Sequence, residues 1–326
     1  MTAEEQPHEE AVEAPAALVV GGVHDPNLEP LLRALARLGV DHRALRVGEG
    51  LAPAITWSLD DDRLTLDGRR LAPAGVFLRY DVFAHLRDPR EATSFRANAW
   101  YTTVAGWLAA HPEVRWLGRA GMLRHTNKLH ALGLARAAGL EIPPTLATNE
   151  LAALVGAGGP PERVKRIAKP VAGGGYCERL DDLLEETGVI DGVAAAPAII
   201  QPELVPPELR VYGVRHDLAR SGAGPASFFA FEVIADDLDY RRDRAATIEP
   251  RPVPDGLAAG VLRVMDALGL DFAAADFKAD PATGRPLFLE INSGPMFVAF
   301  DRAAEGALCD ALARALAGLP AAPPVA

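Results

Sequence analysis

Three side chains near the C-terminus have the types and spacing of a cation site. Asp276 ends the apolar run AAAD, while Glu290 and Asn292 close the apolar run PLFLEIN. Alternate side chains of a strand share a face, so Glu290 and Asn292 project together. The GRP between the two runs reads as a turn, and a hairpin there would bring Asp276 beside them. Two carboxylates and an amide offer hard oxygens, the donors that Mg²⁺ takes together with substrate phosphate. Taken alone, the same residues also fit a solvated hairpin end with capping acids.

A phosphate ligand would need cations and open backbone, and the chain has both. Lys169 ends the strand-like RIAK, where partial burial of an ammonium is costly unless an anion faces it. Gly173, Gly174 and Gly175 follow at once; three glycines let backbone amides approach phosphate oxygens. Lys128 opens a helix in NKL and is a second phosphate contact by type. Some thirty residues past the glycines, IIQPELV ends a buried strand on a Gln-Pro-Glu-Leu link that could bond an adenine through its backbone. Each has an ordinary reading too: a surface ion pair for Lys169, a hairpin tip for the glycines, a strand cap for Gln201.

The elements that must position these residues follow from composition and periodicity. The 326 residues are 49% hydrophobic and 24% charged, a globular composition with two or three subdomains expected. A net charge of −11 argues against a general nucleic-acid or anionic-membrane binder. Two cysteines, Cys177 and Cys309, exclude a disulfide framework, and no run approaches a membrane span, so a reduced, cytoplasmic setting is expected. Residues 1–16 and 319–326 read as disordered tails. Between them, AALVV and a helix with leucines at 31, 32, 35 and 38 open an α/β unit; ITWSLDDDRLTLDGRRL reads as a hairpin with DG at its turn. The strand GVFLRY, a helix from about 92 to 110 and the strand VRWLGR complete this module. A helix ending at Gly139 comes next, then the strands RIAK, AAPAIIQ, RVYGV, SFFAFEVI and PLFLEIN with the helix DGLAAGVLRVMDALGL, giving an α/β or α+β protein of small mixed sheets.

The order of these features resembles the ATP-grasp superfamily over residues 115–318, on the strength of NKLHALGLARAAGLEIPPTLATN, AKPVAGGGY, IIQPELVPPELRVYGV and DFKAD…LFLEIN. The resemblance implies an ATP-grasp fold: a pre-ATP-grasp α/β domain at 17–114, a central lobe at 115–205 and a C-terminal lobe at 206–318 carrying the metal site. It implies ATP and Mg²⁺ as cofactors and an ADP-forming ligase reaction, in which a carboxylate becomes an acylphosphate that an amine or hydroxyl displaces. By position, Lys128, Lys169 and Gly173–Gly175 would face the phosphates. Gln201, Glu203 and Leu204 would form the adenine hinge, and Glu208 would take the ribose. Arg210 would stabilise the acylphosphate, and Asp276, Glu290 and Asn292 would hold Mg²⁺.

Within the superfamily the chain is most similar to the branch of the ribosomal-protein glutamate ligases and the graspetide peptide macrocyclases. There an Asp-aromatic-Arg triplet lies on the substrate side, which makes Asp239 and Arg241 candidates to orient a peptide acid or its nucleophile. A peptide or amino-acid carboxylate is the implied partner, with no nucleic acid or membrane; a homodimer, a small-molecule substrate and a nucleotide-binding scaffold without ligase activity all stay open. The segment SGPMFVAFD after EIN departs from both sub-branches, which bears on the substrate and not on the nucleotide.

Overall fold

In the computed structural model the described residues are 12–50, 53–118, 127–156, 165–172, 176–186, 188–218, 224–235, 237–238, 240–243 and 245–322. Contacts divide the chain into two compact units, one of Met1–Met122, Val214–Ser227 and Met296–Ala326, the other of Leu123–Gly213 and Phe228–Pro295.

The first unit contains a parallel sheet in the order His42–Val47, Ala17–Gly22, Gly75–Leu78, Arg115–Leu117. Ala17–Gly22 is buried throughout, as a central strand with both faces covered should be. The helix Leu28–Arg37 turns Leu28, Leu31, Ala34 and Leu35 inward, the spacing of one helical face. Gly39 follows it at φ +66°, a left-handed stop that glycine takes without strain. A second sheet orders Val12–Glu13, Arg69–Leu71, Arg63–Leu66 and Ile55–Ser58. Its expected DG turn is present: Asp67 and Gly68 both have positive φ, which a two-residue hairpin of this twist requires. Val12–Glu13 corrects the expectation of a disordered tail to residue 16. Those residues pair in parallel with Arg69–Leu71, and the Glu13 carboxylate is bound by Arg43 and by Arg69 at 2.9 Å, contacts that composition does not announce.

The segment after EIN is tied down by a side chain that periodicity passes over. Asn27 is fully buried; its Oδ1 accepts the backbone N–H groups of Phe297 (2.8 Å) and Val298 (2.9 Å), and its Nδ2 donates to Asp25 Oδ1 (2.6 Å). Asp25 in turn accepts from buried Arg79 Nε at 2.7 Å. The arginine of GVFLRY is thereby committed to an ion pair.

The second unit has two sheets. The smaller orders Glu178–Arg179, Arg166–Pro170, Val193–Pro202 and Val189–Ile190, with Leu146–Glu150 also pairing Val193–Pro202. Leu154, Ala168, Leu180 and Ile200 make its core. The larger orders Thr247–Arg251, Ala226–Ile234, Val205–Arg215, Phe272–Ala279 and Pro286–Asn292. Phe272 to Phe277 are all buried, so AAAD lies within the buried part of the strand Phe272–Ala279, with Asp276 as a buried carboxyl among apolar neighbours. The helices Lys128–Ala137 and Leu257–Leu268 stand at the ends that the sequence implies, the second capped by Gly269 in the left-handed region. Among the described residues, no helix is long and apolar enough to cross a membrane.

Asn27→Ala should cost about 2 to 4 kcal/mol, because two buried N–H groups lose their acceptor at once. Urea unfolding of the two proteins reads this directly, and a loss below about 1 kcal/mol would show that the tie is not what holds the segment.

Candidate active site

The site forms within the second unit, on one face of its larger sheet. Phe272–Ala279 and Pro286–Asn292 pair antiparallel with Asp276 opposite Glu290 and Ala274 opposite Asn292. The hairpin expected from the sequence is therefore present, and it brings the three candidate metal ligands together. Asn292 Nδ2 sits between the carboxylates, 3.1 Å from Asp276 Oδ2 and 3.3 Å from Glu290 Oε1.

Cations surround this acidic end. Lys128, the first residue of its helix, places Nζ 3.4 Å from Glu290 Oε2. The helix starts there because Asn127 caps it, accepting the His130 N–H at 3.0 Å. Arg210, buried on Val205–Arg215, lies with Nη1 3.3 Å from Asp276 Oδ1, and the same nitrogen donates to the Tyr240 hydroxyl at 2.5 Å. On the same strand Glu208 sits 3.7 Å from Lys278 Nζ, which also donates to the Leu238 carbonyl at 3.1 Å. Lys169, half-buried at the end of Arg166–Pro170, has no hydrogen bond or ion pair among the described residues.

Electrostatics mark these groups out. Desolvation pushes Asp276 up to about 8, with Glu208 and Glu290 adding to the rise and Arg210 opposing it. Desolvation also raises Glu208, against the pull of Lys278 and Arg210. Glu290 meets the same burial cost but is drawn below its usual range by Lys128 and Lys169. Burial pulls the Lys169 ammonium down. Burial works against the Arg210 charge as well, yet Asp276, Tyr212, Tyr240 and Glu208 together hold it above its ordinary value.

These residues fit a metal and a nucleotide. Asp276 Oδ1 is buried and accepts no hydrogen bond from the described residues, and a partly positive amide nitrogen fills the gap between two carboxylates, where a cation would serve both better. Among the described residues no three His, Cys, Asp or Glu side chains form a metal cluster on their own. Two carboxylates and an amide leave the rest of a Mg²⁺ shell to phosphate and water, which is how Mg²⁺ is commonly held.

The expected hinge lies at the end of Val193–Pro202. Gln201 is buried, donates through Nε2 to Thr145 Oγ1 at 2.9 Å, and has no hydrogen bond to its Oε1. Glu203 and Leu204 form a two-residue break before the next strand, with Glu203 Oε1 3.3 Å from Arg179 Nη2. Hinge and charged cluster share no hydrogen bond among the described residues. Gly173, Gly174, Gly175, Asp239 and the side chain of Arg241 lie outside the described residues. Tyr240 and Lys278 were not picked out from the sequence. Lys278 had a signal, two residues beyond Asp276 in strand period, whereas the Tyr240 contact had none. Two cavities in the first unit, of about 30 and 210 Å³, are lined by none of the expected site residues.

Known proteins were then compared with the chain. No family model matches it, and no curated protein does. Solved structures do. The ATP-grasp ligase PsnB complexed with minimal precursor matches 93% of this chain and 98% of its own, at 25% identity and a TM-score of 0.72. The chain has the ATP-grasp fold. The same ligase has been solved with precursor, Mg and ADP. The macrocyclase MdnC bound with precursor peptide MdnA, from Microcystis aeruginosa MRC, matches 92% of this chain and 98% of its own at 20% identity and TM-score 0.69. The D-alanyl-alanine synthetase A of Vibrio cholerae O1 matches 94% and 97% at 13% identity and TM-score 0.59. The fold class expected from the sequence is thus borne out, and the chain's neighbours among solved structures include the peptide macrocyclases it was read as resembling.

The raised position of Asp276 has a pH consequence. The folded metal-free protein keeps a proton that the unfolded chain releases between about pH 4 and 8, so this group takes stability away as pH rises through that window. In urea unfolding with chelator present, wild type should therefore lose stability with rising pH more steeply than Asp276→Asn. Parallel pH profiles would contradict this.

Proposed function

We propose that this chain is an ATP-dependent, ADP-forming carboxylate ligase acting on a peptide. One observation carries the reading: within one unit of an ATP-grasp fold, Asp276, Glu290 and Asn292 converge beside Arg210, Lys128 and Lys169. Support for the peptide comes from the neighbours, which are ligases solved with precursor peptides.

When bound, ATP and Mg²⁺ supply the phosphoryl group and much of the charge neutralisation. The chain's own residues then divide the remaining work. Lys169 and Lys128 hold phosphate oxygens, the first gaining a close anion against the burial that pulls its ammonium down. Gly173–Gly175 close over the phosphates, Gln201, Glu203 and Leu204 receive the adenine, and Glu208 takes the ribose. Asp276, Glu290 and Asn292 hold the metal. The substrate carboxylate oxygen bonds to the γ-phosphorus as the bond to the ADP oxygen breaks. A peptide amine or hydroxyl then attacks the acyl carbon, loses its proton, and expels phosphate. Arg210 is aimed at the phosphoryl oxygens on which charge develops, a task suited to a permanently charged planar fork. Asp239 and Arg241 orient the peptide acid or its nucleophile. Residues 17–114 serve as the pre-ATP-grasp domain, 115–205 and 206–318 as the two lobes. The protein works in the reduced cytoplasm, where Cys177 and Cys309, neither in a disulfide, are at home.

Arg210→Ala should lower turnover by about 10²- to 10³-fold while leaving nucleotide affinity within a few-fold. The measurement is ADP and phosphate release with a panel of Asp- and Glu-containing peptides, and the product is a peptide lighter by one water. Phosphate retained on the peptide, with none free, would make the enzyme a phosphotransferase instead.

A further inference from the structure

Among the described residues, Asp276 and Tyr240 offer Arg210 acceptors of different kinds, a carboxyl and a phenol. Asp276 meets the guanidinium at Nη1, 3.3 Å from its Oδ1, on the face that turns toward the candidate metal ligands. The Tyr240 hydroxyl accepts from the same Nη1 at 2.5 Å, a short bond that gives the guanidinium a direction. An arginine that must stabilise negative charge at a defined point needs both direction and undiminished charge.

Tyr240 is itself placed from several sides. It opens the single turn Tyr240–Arg242. Just before the turn, the Leu238 carbonyl accepts from Lys278 Nζ at 3.1 Å, and Lys278 also faces Glu208. At its other end Arg242 lies over the Tyr176 ring, 4.1 Å from its centroid, with Nη2 3.8 Å from Glu178 Oε1. The phenol thus belongs to a turn fastened to the strand that carries Asp276 and to the residues that follow the glycine-rich loop.

We propose that Tyr240 is a positioning residue for Arg210: its hydroxyl fixes the plane of the guanidinium against the phosphoryl oxygens, and the Tyr240–Arg242 turn exists to hold it there. The inference rests on the ligase reading above. It assigns a role to the residue between Asp239 and Arg241, and it makes the hydroxyl, not the ring, the part that matters.

Tyr240→Phe isolates that hydroxyl, since the ring and its packing are kept. The probes are Mg²⁺-ADP alone and Mg²⁺-ADP with aluminium fluoride, which mimics the transferring phosphoryl group, both read by titration calorimetry. Affinity for Mg²⁺-ADP alone should stay within about twofold of wild type, while the extra tightening from aluminium fluoride should fall about tenfold, the worth of a hydrogen bond to a charged group. Arg210→Lys should lose the same tightening, and the double variant should lose little more, because the two groups act as one. Arg242→Ala, a change at an exposed position, should show a smaller loss of the same kind and covers the case in which Tyr240→Phe does not fold. Tightening in Tyr240→Phe equal to wild type would overturn the inference and leave the ligase reading intact, as would equal weakening of both complexes. A wild type that gains nothing from aluminium fluoride removes the oxyanion role from Arg210, and the inference with it. No binding of Mg²⁺-ADP by wild type would overturn the reading of the site itself.

Discussion

Burial of three carboxyls in one patch is the constraint on which the site depends: desolvation raises Asp276 and Glu208, nearby carboxylates add to the rise, and lysines draw Glu290 the other way. Four cations face the three acids: Lys128, Lys169, Arg210 and Lys278. The formal sum is one positive charge, spread over groups that do not fully satisfy one another. Asp276 keeps an oxygen without a hydrogen bond and Lys169 has no partner among the described residues. Such an arrangement is poorly paired by itself and becomes well paired around a divalent cation and a polyphosphate. Perturbed carboxylates and lysines clustered this way are the electrostatic mark of a functional site more often than of a stabilising network.

The fold supplies what that cluster requires. Asp276 lies within a strand whose residues Phe272 to Phe277 are all buried, so its backbone is fixed by packing before its carboxylate is called on. Glu290 stands across the ladder from it, Arg210 comes from another strand of the same sheet, and Lys128 from a capped helix N-terminus. Sites built on strands and helices hold their geometry more closely than sites on loops. The exception among the described residues is Tyr240, which reaches Arg210 from a short turn.

Much of this was legible in the sequence because it obeys short periods. The alternation in LEIN puts Glu290 and Asn292 on one face, the turn residues between the apolar runs bring Asp276 across, and the DG pair fixes a hairpin that the structure contains. What escaped has no period. Asn27 reaches the backbone of Phe297 and Val298 across 270 positions of sequence, and Tyr240 reaches Arg210 across thirty. Val12–Glu13 joins a sheet through arginines that lie elsewhere in the chain. Contacts of this kind are decided by tertiary packing, and composition even argued the wrong way for the last of them.

The most direct test of the metal and nucleotide assignment is thermal unfolding of wild type and Glu290→Ala, each with and without Mg²⁺ and a non-hydrolysable ATP analogue. A ligand that binds only the folded state stabilises it by about 2.7 kcal/mol at a hundredfold excess over its dissociation constant. A clear rise in wild type that largely vanishes in Glu290→Ala is the expected result. No rise in wild type at millimolar nucleotide, or an equal rise in both proteins, would contradict the placement of metal and nucleotide at Asp276, Glu290 and Asn292.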